Sequence, residues 1–308
     1  ADENVGAVAA KATARTEDKL YDPIVVVKNS SYEGIVTIKM LLDSIVNVEV
    51  AARTQEISKK NRILQEQQLI HDRDMHMAEL VQKSFYPAKA PHTDEWDCAF
   101  VFKPMSSVSG DVYDFYYDAR GKLSGTALFD VSGHGVASGL VGILSKYLAE
   151  QVFSAAQGKP LDKLLRQFND TLTREKGMVE NYLTGVFLRI TGDQLEYVNA
   201  GHTDVLIAVP TACSISKETF TQLESPVIET KFDSMTEVNV LGGSNGSFRG
   251  SFIGIEGLPD DYRTVTVTLT EGTFLVLYTD CLTESRNLAG DELGSDRLRS
   301  IIKQYLIE

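Results

Sequence analysis

Residues 39–84 contain neither proline nor glycine and are rich in residues of high helix propensity, so the sequence predicts one long helix there. Apolar and polar residues follow one another along it at alternating spacings of four and three: Ile57, Asn61, Leu64, Gln68, His71, Met75 and Ala78. Heptad spacing is typical of a coiled coil, but the polar members of this seam predict weak pairing. Two interpretations of this helix remain open. It is either a weak dimeric coiled coil that carries a signal or a solvated helix packed on its own domain.

The part before the helix, residues 1–44, is predicted to contain a helix-prone start, strands at 21–27 and 32–38, and a turn between them. The stretch GIVTIKMLL, residues 34–42, resembles the end of a CBS domain. In nucleotide-binding CBS domains a threonine or serine after the last strand and an aspartate three residues later contact the ribose. Thr37 fits the first position, but Met40 stands at the second. The resemblance therefore implies a partial CBS-like module without a nucleotide site, and a generic α/β fragment is the alternative.

Two aspartates bracket residues 109–135, the stretch around which the C-terminal part is organised. Asp111 follows Gly110 at the start of the predicted strand YDFYY, and Asp130 ends the apolar strand TALF. The glycines of VSGHG then permit a tight turn, after which apolar residues at helical spacing predict a helix over 136–156: Leu140, Ile143, Leu144, Tyr147 and Leu148. Carboxylates at strand ends beside freed backbone carbonyls are good ligands for magnesium or manganese. Two ordinary turn aspartates are the alternative.

A third aspartate favours the metal interpretation. The apolar run TFLVL, residues 273–277, predicts another buried strand, and Asp280 comes just past its end. Three such aspartates can converge on one rim of a sheet. Unpaired carboxylates packed together cost several kcal/mol unless a cation neutralises them.

Four motifs in order carry a resemblance to a known family. SGDVYDF, DVSGHGVAS, NAGHTDVL and YTDCLTESRN resemble those of the bacterial PPM-type protein phosphatases, closest to the SpoIIE/RsbU-like branch, over residues 78–308. The resemblance implies two Mn²⁺ or Mg²⁺ ions, with Asp111 as a ligand of the first and Asp130 bridging both. It further implies that Val131 contributes its backbone carbonyl and that Asp280 binds the second ion.

The sequence departs from the family pattern at two points. Cys281 stands where the family has glycine after the third aspartate. The family also carries a last aspartate on a C-terminal strand, whereas this chain ends inside the preceding predicted helix. Either the sequence is cut from something longer or the second metal site is expected to be incomplete.

The resemblance implies an α+β fold: a PPM-phosphatase-like β-sandwich flanked by helices, behind the CBS-like fragment and the long helical linker. The expected domains are 1–44 for the CBS-like module, 45–84 for the linker and 85–308 for a phosphatase domain without its last strand. Within it the sequence predicts strands at 97–103, 182–190, 194–201 and 264–269, a hairpin at 118–121, amphipathic helices at 161–175 and 294–308, and a long loop at 210–250. That loop is interpreted as a surface insertion, with a substrate-side flap as the alternative.

Composition excludes several classes of function. A net charge of −13 and a pI of about 4.9 argue against binding to nucleic acid or to an anionic membrane. No apolar run is long enough for a transmembrane helix, and the N-terminus lacks the basic region of a signal peptide. Three cysteines without a paired motif suit a cytoplasmic location and exclude a thiolate zinc site. His134 and His202 lie in family motifs and are interpreted as structural.

The function implied by the resemblance is metal-dependent hydrolysis of phosphoserine or phosphothreonine on a regulatory protein. The implied substrate is a phosphorylated STAS-type anti-sigma-factor antagonist in a bacterial partner-switching pathway, and the implied assembly is a homodimer through the linker. Two alternatives belong to other classes: a pseudophosphatase that binds the phosphorylated partner without hydrolysis, and a dimeric signalling scaffold.

Overall fold

The computed structural model describes residues 5–104, 107–154, 158–208, 238–241 and 248–307. The chain divides into two compact units, Ala1–Asp74 and Met75–Glu308. In the described ranges no helix combines the length and the apolar character needed to cross a membrane.

The first unit contains helix α1 (Val5–Thr13), strands β1 (Ile24–Lys28) and β2 (Ser31–Val36), and the first part of helix α2 (Ile38–Phe85). β1 and β2 form an antiparallel hairpin whose turn residues Asn29 and Ser30 have φ values of 49° and 63°. The predicted order of helix, strand, turn, strand and helix is confirmed. That this unit is a CBS-like module stays a prediction.

Helix α2 confirms the long helix predicted over residues 39–84 and ends just before Tyr86 and Pro87. Pairs of opposite charge four residues apart, such as Arg53 with Glu49 and Lys60 with Glu56, stabilise its surface. Ile57 and Leu64 in the predicted seam are 58 % and 61 % exposed. The seam is exposed from Ile57 to His71, whereas Met75 and Ala78 are half-buried. Its pairing with a second copy stays a prediction.

The second unit is built on two antiparallel sheets. The larger sheet contains β3 (Val112–Tyr117), β4 (Leu123–Val131), β5 (Leu183–Thr191), β6 (Gln194–Ala200) and β10 (Val265–Thr268) in the order β10-β6-β5-β4-β3, and the short strand β9 (Arg249–Gly250) pairs with β6 in parallel. The smaller sheet contains β7 (Leu206–Ala208), β8 (Val238–Val240) and β11 (Phe274–Val276) in the order β11-β7-β8. Among the described residues these are its strands.

Side chains alternate between the two faces of each strand, so both sheets are covered on both faces and the second unit has four layers. In β4, Ala127, Phe129 and Val131 pack against helices α3 (Val136–Ser154) and α4 (Leu161–Glu175). The opposite face of this sheet packs against the smaller sheet through a second apolar cluster that includes Val186, Tyr197 and Ile207. Leu206 faces the other way, toward helix α6 (Gly294–Ile307) and its Leu298. Helices therefore cover both outer faces of a sandwich, as the sequence predicts.

Helix α4 has the predicted bounds, and the apolar residues of its amphipathic face are all buried: Leu161, Leu164, Leu165, Phe168 and Leu172. The stripe predicted on α3 is partly wrong, because Leu140 and Tyr147 are exposed. Small residues face the sheet instead: a Cβ on Gly142 would lie 2.6 Å from Cγ2 of Val112, and one on Gly139 would lie 2.2 Å from Cγ1 of Val108. The helix lies so close to the sheet that glycine and serine occupy the buried face.

Two strand predictions need correction. Residues 97–103 form no strand among the described residues; Phe100 and Phe102 instead stack on Tyr113, with ring centroids 4.7 and 5.6 Å away. Ring packing explains the apolar alternation there without ladder hydrogen bonds. The strand predicted at 273–277 is shorter and not buried, because β11 begins at Phe274 with that side chain 46 % exposed.

The loop predicted at 210–250 is described only at 238–241 and 248–250, and the rest lies outside the described residues. The described part is not loop: β8 pairs with β7, Leu241 is buried, and β9 pairs with β6. These pieces belong to the sandwich.

Candidate metal-dependent active site

Asp111 lies between Gly110 and the first residue of β3, and its neighbourhood requires a glycine. A Cβ on Gly110 would lie 2.7 Å from the carbonyl oxygen of Val131. The Val131 amide donates back to the Gly110 carbonyl at 3.4 Å. This close backbone approach brings Asp111 beside the end of β4, where Asp130 and Val131 lie.

The C-terminal turns of α2 hold the Asp111 loop from the other side. Gln82, which is buried, donates to the Ser109 carbonyl at 2.7 Å and accepts from the Ser109 amide at 2.9 Å. The Tyr86 hydroxyl donates to the Asp111 carbonyl at 2.6 Å. Three groups, two on Gln82 in the last turns of α2 and one on Tyr86 directly after it, thus fix the backbone on both sides of Gly110. The sequence predicted that this helix opens the domain but not these contacts.

Asp130 is the penultimate residue of β4 and lies opposite Thr184 of β5. Because side chains alternate, it shares a face with Leu128, which packs against the cluster between the two sheets. Asp130 therefore faces the smaller sheet. The chain then turns through Gly133 and Gly135, both with φ near 85°, into α3.

Asp280 reaches the site from the smaller sheet. It is the first residue of helix α5 (Asp280–Thr283), four residues after β11 ends. The prediction that the three strand ends meet on one rim of a sheet is therefore wrong: Asp111 and Asp130 belong to the larger sheet and Asp280 follows the smaller one. The site lies between the two layers, which is an arrangement that strand ends alone do not reveal.

Thr279 links the two sides and was missed by the sequence reasoning. Its hydroxyl donates to Oδ2 of Asp111 at 3.3 Å and lies 3.0 Å from Sγ of Cys281. Thr279 is buried, whereas Asp280 and Cys281 are exposed. A threonine directly before the predicted ligand was visible in the sequence, but nothing in its spacing indicated contact with Asp111.

The carboxylates influence one another. Burial, then the charges of Asp111 and Asp280, raise the pKa of Asp130 to about 7, and the more distant Glu284 adds to the effect. Burial also raises the pKa of Asp111, against the opposing hydrogen bond from Thr279. A hydrogen bond between the two carboxyl groups raises the pKa of Asp130 and lowers that of Asp111, because the metal-free pair shares a proton. A cation would replace that proton.

The donor set fits a hard divalent cation. Carboxylates of Asp111 and Asp130 and the carbonyl of Val131 are oxygen ligands of the type that Mg²⁺ and Mn²⁺ prefer. Within the described ranges no three histidine, cysteine, aspartate or glutamate side chains are grouped around a single ion position. The predicted set assigns at most two carboxylates to each ion, so the expected ligands and this geometry are compatible.

The other candidate residues are histidines and cysteines. His202 is 3 % exposed and is hydrogen-bonded within a turn, in agreement with a structural role. His134 is exposed. Cys98 and Cys281 are free thiols, and Cys213 lies outside the described residues.

Comparison with known proteins defines the class. The family model described as stage II sporulation protein E, SpoIIE, matches residues 121–226 and 246–307, which is more than half of the chain. The chain belongs to the SpoIIE family of PP2C-type protein phosphatases. The matched ranges include Asp130, Val131 and Asp280, whereas Asp111 precedes them, and they omit the middle of the 210–250 segment.

The sequence identity to individual relatives is low. The chain is 26 % identical over 246 residues to Protein IcfG of Synechocystis sp., covering 71 % of this chain and 34 % of that protein. It is 26 % identical over 137 residues to Phosphoserine phosphatase RsbP of Bacillus subtilis, covering 44 % of this chain and 34 % of RsbP. The chain thus spans about a third of the length of these curated relatives. The SiaA-PP2C domain of Pseudomonas aeruginosa shares its fold, with a TM-score of 0.57 at 20 % identity over 78 % of this chain and 83 % of that domain.

Proposed function

We propose that this chain hydrolyses phosphoserine or phosphothreonine on a regulatory protein, with Mn²⁺ or Mg²⁺ held by Asp111, Asp130, the Val131 carbonyl and Asp280. The observation that carries the proposal is the convergence of carboxylates from two sheets, where burial and then the neighbouring charges raise the pKa of Asp130 to about 7. Such crowding is a typical mark of a functional site. Membership of the SpoIIE family supports the same reaction.

The residues of the chain have separable tasks in this reaction. Asp130 faces both neighbouring carboxylates, so it is the ligand that two ions would share. Thr279 orients Oδ2 of Asp111, and Tyr86 holds the Asp111 backbone. Divalent cations, when bound, lower the pKa of water and neutralise the charge that develops on a transferring phosphoryl group. The protein needs no side-chain nucleophile, and we assign none to Cys281.

We further propose the partner and the assembly. The substrate is a phosphorylated STAS-type protein of a partner-switching pathway, and the name of the relative RsbP, a phosphoserine phosphatase, supports phosphoserine as the group removed. The exposed heptad seam of α2 supports a homodimer through the linker. We assign residues 1–44 to a CBS-like regulatory module, 45–84 to the linker and 85–308 to the phosphatase domain.

The test is release of inorganic phosphate from a phosphoserine peptide by the chain, measured with Mn²⁺ and again in EDTA. Release that requires Mn²⁺ supports the proposal. Binding of the phosphopeptide without release, at saturating Mn²⁺, would instead identify a pseudophosphatase. Substituting Asp111 by Asn should abolish the Mn²⁺-dependent release and leave the far-ultraviolet circular dichroism spectrum unchanged.

A further inference from the structure

The hydrogen bonds within either sheet do not set the distance between Asp130 and Asp280. Asp130 is held by the ladder of the larger sheet, and Asp280 follows a strand of the smaller one. Two layers packed through apolar side chains can shift relative to each other, because apolar contacts are not directional. Directional contacts between the layers near the carboxylates would fix this spacing.

One turn makes such contacts. Residues 199–203 contain the end of β6 in the larger sheet and the first part of its connection to β7 in the smaller one. Asn199, which is 1 % exposed, holds the turn closed by accepting from the His202 amide at 2.8 Å and donating to the His202 carbonyl at 3.2 Å. Gly201 has a φ of 67°, and a Cβ there would lie 2.5 Å from the Phe252 ring. The turn is therefore stiff and has no room to move toward Phe252.

On its larger-sheet side the turn contacts the neighbour of Asp130. Nδ1 of His202 lies 2.7 Å from Oγ1 of Thr184, the residue opposite Asp130 in the β4–β5 ladder. Nε2 of His202 is buried on the side of the Tyr278 carbonyl but has no partner in hydrogen-bond geometry among the described residues. His202 thus fills the space between Thr184 and the chain that leads to Asp280.

On its smaller-sheet side the turn holds the segment that carries Asp280. The Thr203 hydroxyl donates to the carbonyl of Tyr278, two residues before Asp280. The next residue, Thr279, donates to Asp111. Asp204, directly after Thr203, accepts two hydrogen bonds from Arg249 of β9, at 2.9 and 2.6 Å, which ties the same turn to the larger sheet again.

We infer that the 199–203 turn is a positioning element for the metal site, in which Thr203 and His202 set the spacing between the carboxylates of the two sheets. The inference rests on the proposed function, because it assigns these residues a role toward the ions that Asp111, Asp130 and Asp280 would bind. Neither residue contacts a proposed ligand directly. Both act on the backbone or the ladder partner that carries one. Groups that hydrogen-bond a ligand itself typically change metal affinity 10- to 100-fold, so we expect an effect at the lower end of that range here.

The test uses Thr203→Val, which removes the donor at constant shape, and Thr203→Ser, which restores it. Mn²⁺ affinity is measured by calorimetry on the full chain, and unfolding is followed in EDTA. We expect Thr203→Val to weaken Mn²⁺ binding about tenfold with a nearly unchanged melting temperature in EDTA, and Thr203→Ser to bind within about twofold of wild type. Thr273→Val is the matched control, because its hydroxyl also donates to a backbone carbonyl, at 2.7 Å, but at the opposite end of β11.

A second variant keeps the inference testable if Thr203→Val lowers the melting temperature. Thr184→Val breaks the contact with His202 on the other side of the turn, and the double variant Thr184→Val/Thr203→Val should lose less affinity than the sum of the two single losses, since both act through one turn. Mn²⁺ affinity of Thr203→Val within twofold of wild type, or equal losses in Thr203→Val and Thr203→Ser, would overturn the positioning role. If wild type itself binds no Mn²⁺, the proposed function fails instead, so the two failures are distinguishable.

Discussion

Asp130 is half-buried beside a second carboxylate, and its pKa of about 7 reflects how poorly this place accommodates two negative charges. We predict that Asp130→Asn lowers the rate of Mn²⁺-dependent phosphate release at least about 100-fold, since metal stabilisation of the transition state is worth several kcal/mol. The melting temperature in EDTA should be equal to wild type or higher, because the amide removes a charge that the metal-free site repels. Phosphate release and thermal unfolding of the same preparation check both parts.

Asp170→Asn is the control for Asp130→Asn. Asp170 is exposed on α4, so losing its charge should change neither rate nor melting temperature by a measurable amount. Wild-type turnover of Asp130→Asn at saturating Mn²⁺ would exclude Asp130 as the shared ligand.

The buried His202 side chain should make the stability of the protein depend on pH. Burial lowers its pKa from 6.5 to about 4, so the unfolded chain takes up a proton near pH 6.5 that the folded chain does not accept until about pH 4. The free energy of unfolding should therefore fall as the pH drops from about 6.5 toward 4, and this residue should account for about 2 kcal/mol of the loss by pH 5. Urea unfolding in EDTA at pH 7.5 and pH 5 measures it.

The variant His202→Gln isolates this contribution, because glutamine does not titrate. The difference in stability between wild type and variant should shrink by about 2 kcal/mol between pH 7.5 and pH 5. A difference that is the same at both pH values would mean that His202 is not buried in its neutral form.

At the scale of elements, the close packing of helix α3 on the sheet depends on glycines in the helix. A Cβ on Gly142 would lie 2.6 Å from Cγ2 of Val112, a β-branched side chain with little freedom to turn away. We predict that Gly142→Ala lowers the free energy of unfolding by about 1–3 kcal/mol through overpacking, although alanine favours helix by up to about 1 kcal/mol. Chemical denaturation measures the change.

The compensating variant is Val112→Ala, which opens the space that the new methyl group needs. The double variant should be less destabilised than the sum of the two single variants. Additive losses would show that the close approach of α3 to β3 does not cause the effect.

Helix α3 also shows where sequence reasoning reaches its limit. Periodicity placed the helix correctly, yet the stripe with Leu140 and Tyr147 is exposed, because the buried face consists of small residues that a search for large apolar side chains passes over. The strands around Asp130 and the bounds of α4 were predictable because alternation and amphipathicity are local. That Asp280 belongs to a different sheet from Asp130, and that Thr279 contacts Asp111, depend on tertiary packing, which no local pattern encodes.

At the scale of the whole molecule, α2 is one uninterrupted helix from Ile38 to Phe85. Gln82 in its last turns contacts Ser109, and Tyr86 directly after the helix contacts Asp111. We predict that Gln68→Leu, which places an apolar residue in the seam, strengthens dimerisation and changes the phosphatase rate with it. Gln68 now donates to Asp72 on its own exposed helix surface at 2.7 Å, so little is lost within the monomer.

Lys59→Leu is the matched control, because it adds the same side chain outside the seam and should change neither association nor rate. Sedimentation equilibrium and rate measurements on wild type and both variants provide the test. A stronger dimer with an unchanged rate would reduce the helix to a passive tether.

The division of the carboxylates between two sheets has a consequence for how the protein can evolve. The apolar layer between the sheets, which includes Val186, Tyr197 and Ile207, sets the gap between the sheets, and within that gap the 199–203 turn positions Asp280 relative to Asp130. Face-to-face sheets lie about 10 Å apart. One added or deleted methylene in that layer changes the gap enough to alter the geometry of metal ligation. Residues that have no polar contact with the ions are therefore under selection for reaction rate as well as for stability, and neutral drift in this layer should be slower than in the layer beneath α3 and α4.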